Sequence, residues 1–212
     1  MKYQGVIFDL DGVICFTDKY HYQAWKSMAD ELGVYFDETI NNRLRGVSRM
    51  ESLEIILERY DGTLTDGEKQ KLAERKNRLY VELLSQMSEK DLSAEVKDTL
   101  DKLRARGVKL AIGSSSKNAK YILTRLGVKD YFDAVSDGTN IARSKPDPEV
   151  FEKAAEFLHL EAGTCLVVED AKAGIEAACA GGFDSAGLGE AASCEHVTYG
   201  MKTFSDLVEI VK

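Results

Sequence analysis

Near the start of the chain two acids flank one leucine, in Phe8-Asp9-Leu10-Asp11-Gly12, directly after the apolar residues Val6 and Ile7. A short continuous apolar run of this kind reads as a buried strand of a parallel sheet. Strand alternation sets Asp9 and Asp11 on one side unless the chain has already turned. The carboxyl end of such a strand is where open α/β sheets bind their ligands. Two carboxylates there repel each other unless a cation sits between them, and hard oxygen donors of this type suit Mg²⁺. The alternative is a strand that stops at an Asp-Gly turn with both acids solvated. These residues alone do not choose between the two.

Partners elsewhere in the chain do. The apolar run 108–112 meets Gly113-Ser114-Ser115-Ser116, and Cys165-Leu166-Val167-Val168 runs straight into Glu169-Asp170. Lys145 stands in the loop Ser144-Lys145-Pro146-Asp147-Pro148. Parallel strands bring their carboxyl ends to one edge of a sheet, so four acids, one lysine and one hydroxyl can converge. That set suits a Mg²⁺-dependent phosphate site. Taken singly, Ser114 reads as a helix N-cap and Lys145 as a solvated loop lysine; beside the acids, both read as parts of the site.

The elements that must position these groups follow from periodicity. Helical spacing covers 21–32 (Trp25, Met28, Ala29, Leu32), 51–60 (Leu53, Ile56, Leu57, Tyr60) and 66–87 (Leu72, Ala73, Leu79, Tyr80, Leu83, Met87). This region reads as a small helical bundle inserted after the first strand. From residue 92 helices and strands alternate. A helix carrying Val96, Leu100 and Leu103 ends at Gly107, a strand follows at 108–112, and a helix with Ile122, Leu123 and Leu126 ends at Gly127. After a weak strand at 134–136, Asp147 as N-cap and Pro148 as first residue open a helix holding Val150, Phe151, Ala154, Ala155 and Leu158. A strand at 165–168, an Ala-rich helix, a short strand at 185–188 and a last helix at 204–211 complete the chain. Such alternation predicts an α/β fold, an open parallel sheet covered on both faces, with a helical insert.

Bulk properties exclude several function classes. The chain has 212 residues, 44% apolar and 30% charged, which is ordinary for a globular protein, and its net charge of −8 argues against nucleic acid or a membrane surface as partner. No stretch resembles a signal peptide or a membrane span, so the expected compartment is the cytoplasm. Cys15, Cys165, Cys179 and Cys194 lack ligand-like spacing and are expected to be buried as small apolar residues.

The ordered set of D-x-D-G after an apolar strand, a strand ending in Ser114, Lys145 before a proline, and the late Glu169-Asp170 pair resembles the haloacid dehalogenase superfamily of phosphohydrolases and mutases. The resemblance spans the whole core. It implies a Rossmann-like core over 1–16 and 88–212, and an α-helical cap domain over 17–87. It implies that Asp9 is the nucleophile that forms an aspartyl-phosphate and that Asp11 is the general acid and base. Asp9, the backbone carbonyl of Asp11, Glu169 and Asp170 would hold Mg²⁺, while Ser114 and Lys145 would bind the transferring phosphate.

Within the insert, Gly46-Val47-Ser48-Arg49 with Ser52-Leu53, Tyr20-His21 with Trp25, and the Arg75-Lys76-Asn77 run are similar to the β-phosphoglucomutase branch; so is Ser116-Lys117-Asn118 after the second strand. By that resemblance Arg49, with Ser116, Lys117 and Asn118, would hold a non-reacting phosphate. His21 and Lys76 would contact the sugar or orient Asp11, and Thr17 would interact with Asp11 near the hinge. Trp25, Gly46, Val47, Ser48 and Ser52 complete the expected cap side. Lys76 falls between Leu72 and Leu79 on the apolar side of its helix, either as a snorkelling surface lysine or as one aimed into the cleft. Arg49 has the fork geometry that phosphate prefers, and an exposed structural arginine is the alternative. Phe16 departs from the polar or acidic residue that such proteins often carry before this threonine.

Three functions follow as expectations. The first is a monomeric mutase interconverting β-glucose 1-phosphate and glucose 6-phosphate through β-glucose 1,6-bisphosphate, with a small sugar phosphate as its partner. The second is a Mg²⁺-dependent sugar-phosphate phosphatase with the same core. The third is a non-catalytic phosphosugar-binding protein on the same fold.

Overall fold

The computed structural model describes residues 2–212. Strand β1 (Gly5–Phe8) lies at the middle of a parallel six-stranded sheet with β2 (Lys109–Gly113), β3 (Ala134–Ser136), β4 (Cys165–Glu169), β5 (Asp184–Gly187) and β6 (Tyr199–Gly200), in the order β3-β2-β1-β4-β5-β6. The order runs outward from β1 in both directions, so β1 marks the switch point where such sheets bind ligands. Phe8 is in register with Ile112 on β2 and Val168 on β4. One step further, Asp9 therefore comes level with Gly113 and Glu169.

Period 2 along the strands separates two cores. Val6, Phe8, Leu110, Ile112, Leu166 and Val168 face one side. There they pack against α5 (Ala94–Ala105), α6 (Ala119–Arg125) and α9 (Leu207–Ile210). Ile7, Ala111, Cys165 and Val167 face the other, against α7 (Glu149–Leu158) and α8 (Lys172–Ala180). Between β1 and β2 the chain forms α1 (Asp18–Glu31), α2 (Glu38–Asn42), α3 (Arg49–Leu57) and α4 (Asp66–Leu84). Trp25, Met28, Phe36, Ile40, Leu53, Ile56 and Ala73 give this insert a core of its own. Tyr20 and Ala24 of α1, and Tyr80 and Leu84 of α4, belong instead to the core on the sheet. The two ends of the insert are thus fixed to the sheet, while its middle packs on itself.

The structure moves some expected details. Helix α7 begins at Glu149 with Pro148 in the N-cap position, one residue later than the pattern suggested, and the Asp147 carboxylate accepts from the Glu149 N–H at 3.1 Å. The insert helix expected over 66–87, α4, stops at Leu84, the last helix opens as a 3₁₀ turn at Phe204–Asp206, and the short α2 and β6 were not legible. Cys15 and Cys165 are buried as expected. Cys179 is exposed and Cys194 half-buried, because both fall past the apolar faces of their segments; all four are free thiols. Among the described residues no helix is long and apolar enough to cross a membrane.

Gly113 ends β2 beneath Phe151 of α7. A Cβ there would sit 2.7 Å from Phe151 Cδ1 and 3.0 Å from Ile7 Cγ2. Gly113→Ala should therefore cost about 1–3 kcal/mol by overpacking. It should be read as a lower urea midpoint with an unchanged slope; an unshifted midpoint would contradict this packing.

Candidate active site

Asp9 extends the β1 ladder by one residue. Its N–H donates to the Val168 carbonyl at 2.9 Å, which fixes its carboxylate at the sheet edge. Lys145 reaches the same point from the loop before α7 and donates to Asp9 Oδ1 and Glu169 Oε1, each at 2.5 Å. The Lys145 side chain is 0% exposed. Burial works against its ammonium, but the two carboxylates outweigh that and hold its pKa above the ordinary lysine value. Glu169 turns its other oxygen to the N–H groups of Asp170 and Ala171, at 3.0 Å each. Gly174 leaves room for this brace, since a Cβ there would meet the Glu169 carboxylate at 2.0 Å.

Asp11 does not continue the strand. The chain has turned, with Gly12 at φ +93° and its N–H donating to the Cys15 carbonyl at 2.7 Å. A Cβ on Gly12 would stand 2.0 Å from Asp170 Oδ2, so only glycine lets the two loops approach so closely. Oxygens of Asp9, Glu169 and Asp170 lie within 4.8 Å of one another, whereas the Asp11 carboxylate is outside that group and accepts from Thr17 Oγ1. Burial raises the Asp9 pKa well above the ordinary range, with Glu169, Asp170 and Asp11 adding to it and Lys145 opposing. Burial likewise raises Asp11, against the Thr17 hydrogen bond, and with the Glu169 charge it lifts Asp170 to about 7. Crowded hard oxygens whose ionised forms are this disfavoured fit a divalent cation of the Mg²⁺ type.

Ser114 closes the edge beside β1. Its N–H donates to the Ser136 carbonyl at 3.1 Å and its hydroxyl accepts from the Ser116 N–H at 3.2 Å. The Ser116 hydroxyl accepts from the Asn118 N–H at 3.2 Å, and Asn118 Nδ2 donates to Asn77 Oδ1 on α4 at 2.9 Å. That last bond joins the sheet side to the insert across a cavity of about 590 Å³.

The insert wall of the cavity carries Arg45, Arg49 and Lys76 beside the acids Asp18 and Glu74. Lys76 is buried, not snorkelling, with Nζ 3.0 Å from His21 Nδ1 and 4.4 Å from the Trp25 ring centroid. Burial, reinforced by Arg49, pushes the Lys76 pKa well below the ordinary lysine value, against the pull of Asp11. Burial also pushes His21 far down, with Lys76 and Arg49 adding to it, so the imidazole is neutral at pH 7. Arg49 is half-buried and opens α3, whose N-terminus carries positive partial charge. Ser48 lines the cavity, but its hydroxyl is engaged as the N-cap, accepting from the Glu51 N–H at 3.3 Å. Gly46, at φ +76°, faces the sheet side: a Cβ there would lie 3.6 Å from the Ala173 Cβ.

The cavity is lined by Asp9, Asp11, Thr17, His21, Trp25, Gly46, Val47, Ser48, Arg49, Ser52, Lys76, Ser114, Ser116, Lys117, Asn118, Glu169 and Asp170. Lys145 alone of the expected set is not on that surface; it lies behind Asp9. Trp25 is also part of the insert core. Phe16 is 72% exposed and lines the cavity. Sequence reasoning missed Asn77 and Tyr80 as cavity residues. Asn77 adjoins Lys76, one step off the apolar side, and Tyr80 was read only as a core position.

A haloacid dehalogenase-like hydrolase family model matches residues 3–182. The chain is 43% identical over 190 residues to a β-phosphoglucomutase of Bacillus subtilis, covering 88% of this chain and 84% of that protein. It is 30% identical over 184 residues to a phosphorylated carbohydrates phosphatase of Thermotoga maritima, covering 85% and 82%. Among solved structures, a β-phosphoglucomutase from Clostridium difficile superposes with a TM-score of 0.91 at 35% identity, covering 97% of this chain and 93% of that one.

The crowded carboxylates carry a stability consequence. Folded Asp170 keeps its proton up to about pH 7, whereas the ordinary carboxyl releases it at 3.8. The cation-free protein should therefore lose stability as pH rises through that window. In chelator at pH 8, Asp170→Asn should raise the thermal midpoint by roughly 2–4 °C, with a smaller gain at pH 5. Adding Mg²⁺ at pH 8 should raise the midpoint of the parent more than that of the variant; equal Mg²⁺ responses would remove Asp170 from the cation site.

Proposed function

The chain belongs to the haloacid dehalogenase-like hydrolase family, and within it we propose that the protein is a β-phosphoglucomutase, interconverting β-glucose 1-phosphate and glucose 6-phosphate. The observation that supports this reading is that one cavity is lined by two groups of residues suited to anions. At the sheet edge stand Asp9, Ser114 and Lys145; toward the insert stand Arg49 at the start of α3 and the Ser116-Lys117-Asn118 loop. A mutase must hold a bisphosphate and let it turn round, which calls for two stations; a phosphatase needs one. The 43% identity to the Bacillus subtilis mutase supports the same reading.

On this reading the core is residues 1–16 and 88–212, and the cap is 17–87. Asp9 attacks phosphorus to form an aspartyl-phosphate, while Asp11 gives a proton to the leaving sugar oxygen and later takes one from the attacking hydroxyl. Lys145, held on Asp9 and Glu169, supplies positive charge next to the nucleophile, and Ser114 offers a hydroxyl to the transferring group. Mg²⁺, held by the carboxylates of Asp9, Glu169 and Asp170 with the Asp11 carbonyl, would supply the charge that lets nucleophile and phosphate approach. Cap residues His21 and Lys76 contact the sugar or orient Asp11, and contact of the cap with the core excludes water so that sugar hydroxyls compete for the phosphoenzyme. The partner is a small sugar phosphate and the compartment the cytoplasm, with the protein acting as a monomer.

A phosphatase is the second reading, favoured by the 30% identity to the Thermotoga maritima enzyme. The two separate in one assay with Mg²⁺, β-glucose 1-phosphate and a trace of β-glucose 1,6-bisphosphate. The mutase gives glucose 6-phosphate over many turnovers with little free phosphate; free phosphate matching substrate loss would establish the phosphatase instead. Arg49→Ala should cut mutase turnover about a hundredfold, the loss of a charged phosphate contact, while p-nitrophenyl phosphate cleavage changes little. Equal losses on both substrates would contradict the second station. Asp9→Ala should abolish both activities, and retained turnover would overturn the nucleophile assignment.

A further inference from the structure

Tyr80 stands on α4 one turn after Lys76, where its side chain is 1% exposed. Its ring lies 4.0 Å from the His21 ring, centroid to centroid, and 4.6 Å from Lys76 Nζ. The Tyr80 hydroxyl donates to Thr17 Oγ1 at 3.2 Å, and Thr17, itself 0% exposed, donates to Asp11 Oδ1. The three groups form one hydrogen-bonded chain from the insert, through the hinge, to the carboxylate that serves acid and base chemistry in the proposed mechanism.

A threonine hydroxyl has a single proton, and here it goes to Asp11. Tyr80 must then be the donor to Thr17. Reversing the chain would make Asp11 donate from Oδ1, Thr17 donate to Tyr80, and the Tyr80 proton look for an acceptor inside a buried pocket. A buried donor left unpaired is disfavoured. The chain therefore has one favoured direction.

We propose that Tyr80 is a positioning residue that fixes the direction of this chain, so that Asp11 Oδ1 stays an acceptor and proton exchange with the substrate is left to Oδ2. The inference rests on the reading of Asp11 as general acid and base. In the forward step the bond between phosphorus and the sugar oxygen breaks, and its electron pair stays on that oxygen. The proton on Asp11 Oδ2 goes to the same oxygen while phosphorus bonds to Asp9. Tyr80 touches none of these reacting atoms; it acts through Thr17.

Tyr80→Phe keeps the ring and removes only the hydroxyl. With β-glucose 1-phosphate, or with the sugar phosphate that replaces it should the mutase reading fail, kcat should fall about tenfold, a fraction of what a general acid contributes, with KM within about twofold. The burst of p-nitrophenol from p-nitrophenyl phosphate should change less than about twofold, because that leaving group departs without a proton. In a Thr17→Val background Tyr80→Phe should cause no further loss, since the chain is already cut. Equal losses on both substrates, or additive losses in the double variant, would reduce Tyr80 to a packing role and overturn the proposal. Should Tyr80→Phe not fold, Thr17→Ser against Thr17→Val tests the same chain: the serine should keep kcat and the valine lose it, and an unaffected valine variant would sink the idea. Asp11→Asn separates the two levels. If it leaves sugar-phosphate turnover intact, the acid–base reading of Asp11 fails and this inference with it. If it collapses turnover while Tyr80→Phe does not, only this inference fails.

Discussion

A buried lysine between two carboxylates holds the sheet edge together. Lys145 meets Asp9 and Glu169 at 2.5 Å each with no exposure of its own, so it ties the end of β1 to the end of β4 and anchors the loop before α7 to both. Removing one partner of such a cluster strands the others in a dry site, which typically costs about 3–5 kcal/mol. Replacing the whole set by apolar residues would avoid that penalty, so the cluster is weak as a source of stability. Its value is orientation: Asp9 cannot turn away from the edge while Lys145 holds one of its oxygens and the ladder holds its N–H.

Everything on the other side of the cavity is arranged relative to that fixed point. The insert leaves the sheet side at Thr17 and returns through α4, and both of its ends pack into the sheet-side core through Tyr20, Ala24, Tyr80 and Leu84. Two hydrogen bonds join the two sides near the cavity: Asn77 with Asn118, and Thr17 with Asp11. Each involves a small or neutral polar group. Such contacts order the two walls without the desolvation cost that a cross-cavity ion pair would carry.

Most of the sheet edge was legible in the sequence because its signals are local. An apolar run ending in an acid, a serine or an acid pair reports both a strand and what stands at its end, so Asp9, Ser114 and Glu169-Asp170 could be located from the chain alone. Lys145 was legible as part of that set, although not its place behind Asp9, because burial of a lysine depends on two acids far away in sequence. On the insert the signals conflict. Lys76 and Tyr80 occupy apolar helical positions, and periodicity reports the same pattern for a core side chain and for one aimed at a cavity. Asn77 escaped for the opposite reason, since its partner Asn118 is brought near only by the packing of α4 against the loop after β2. Short elements such as α2 and β6 carry too few residues to show a period.

Burial disfavours the charged forms on both walls of the cavity, acids on one and bases on the other. On the sheet side Asp9, Asp11 and Asp170 have raised pKa values, each chiefly through burial and each through further acids, with Lys145 as the nearest opposing charge. On the insert side Lys76 is pushed down by burial and by Arg49, and Arg49 is itself lowered by burial. Folding alone does not relieve this, because the two sides are held apart by the cavity and do not collapse onto each other. A cation at the acids and an anion beneath Arg49 and Lys76 would relieve both at once. On the mutase reading proposed above, Mg²⁺ at the acids and the non-reacting phosphate near Arg49 would meet the two walls separately. The acids therefore suit a cation and the Arg49 side an anion, and the cavity holds the two apart.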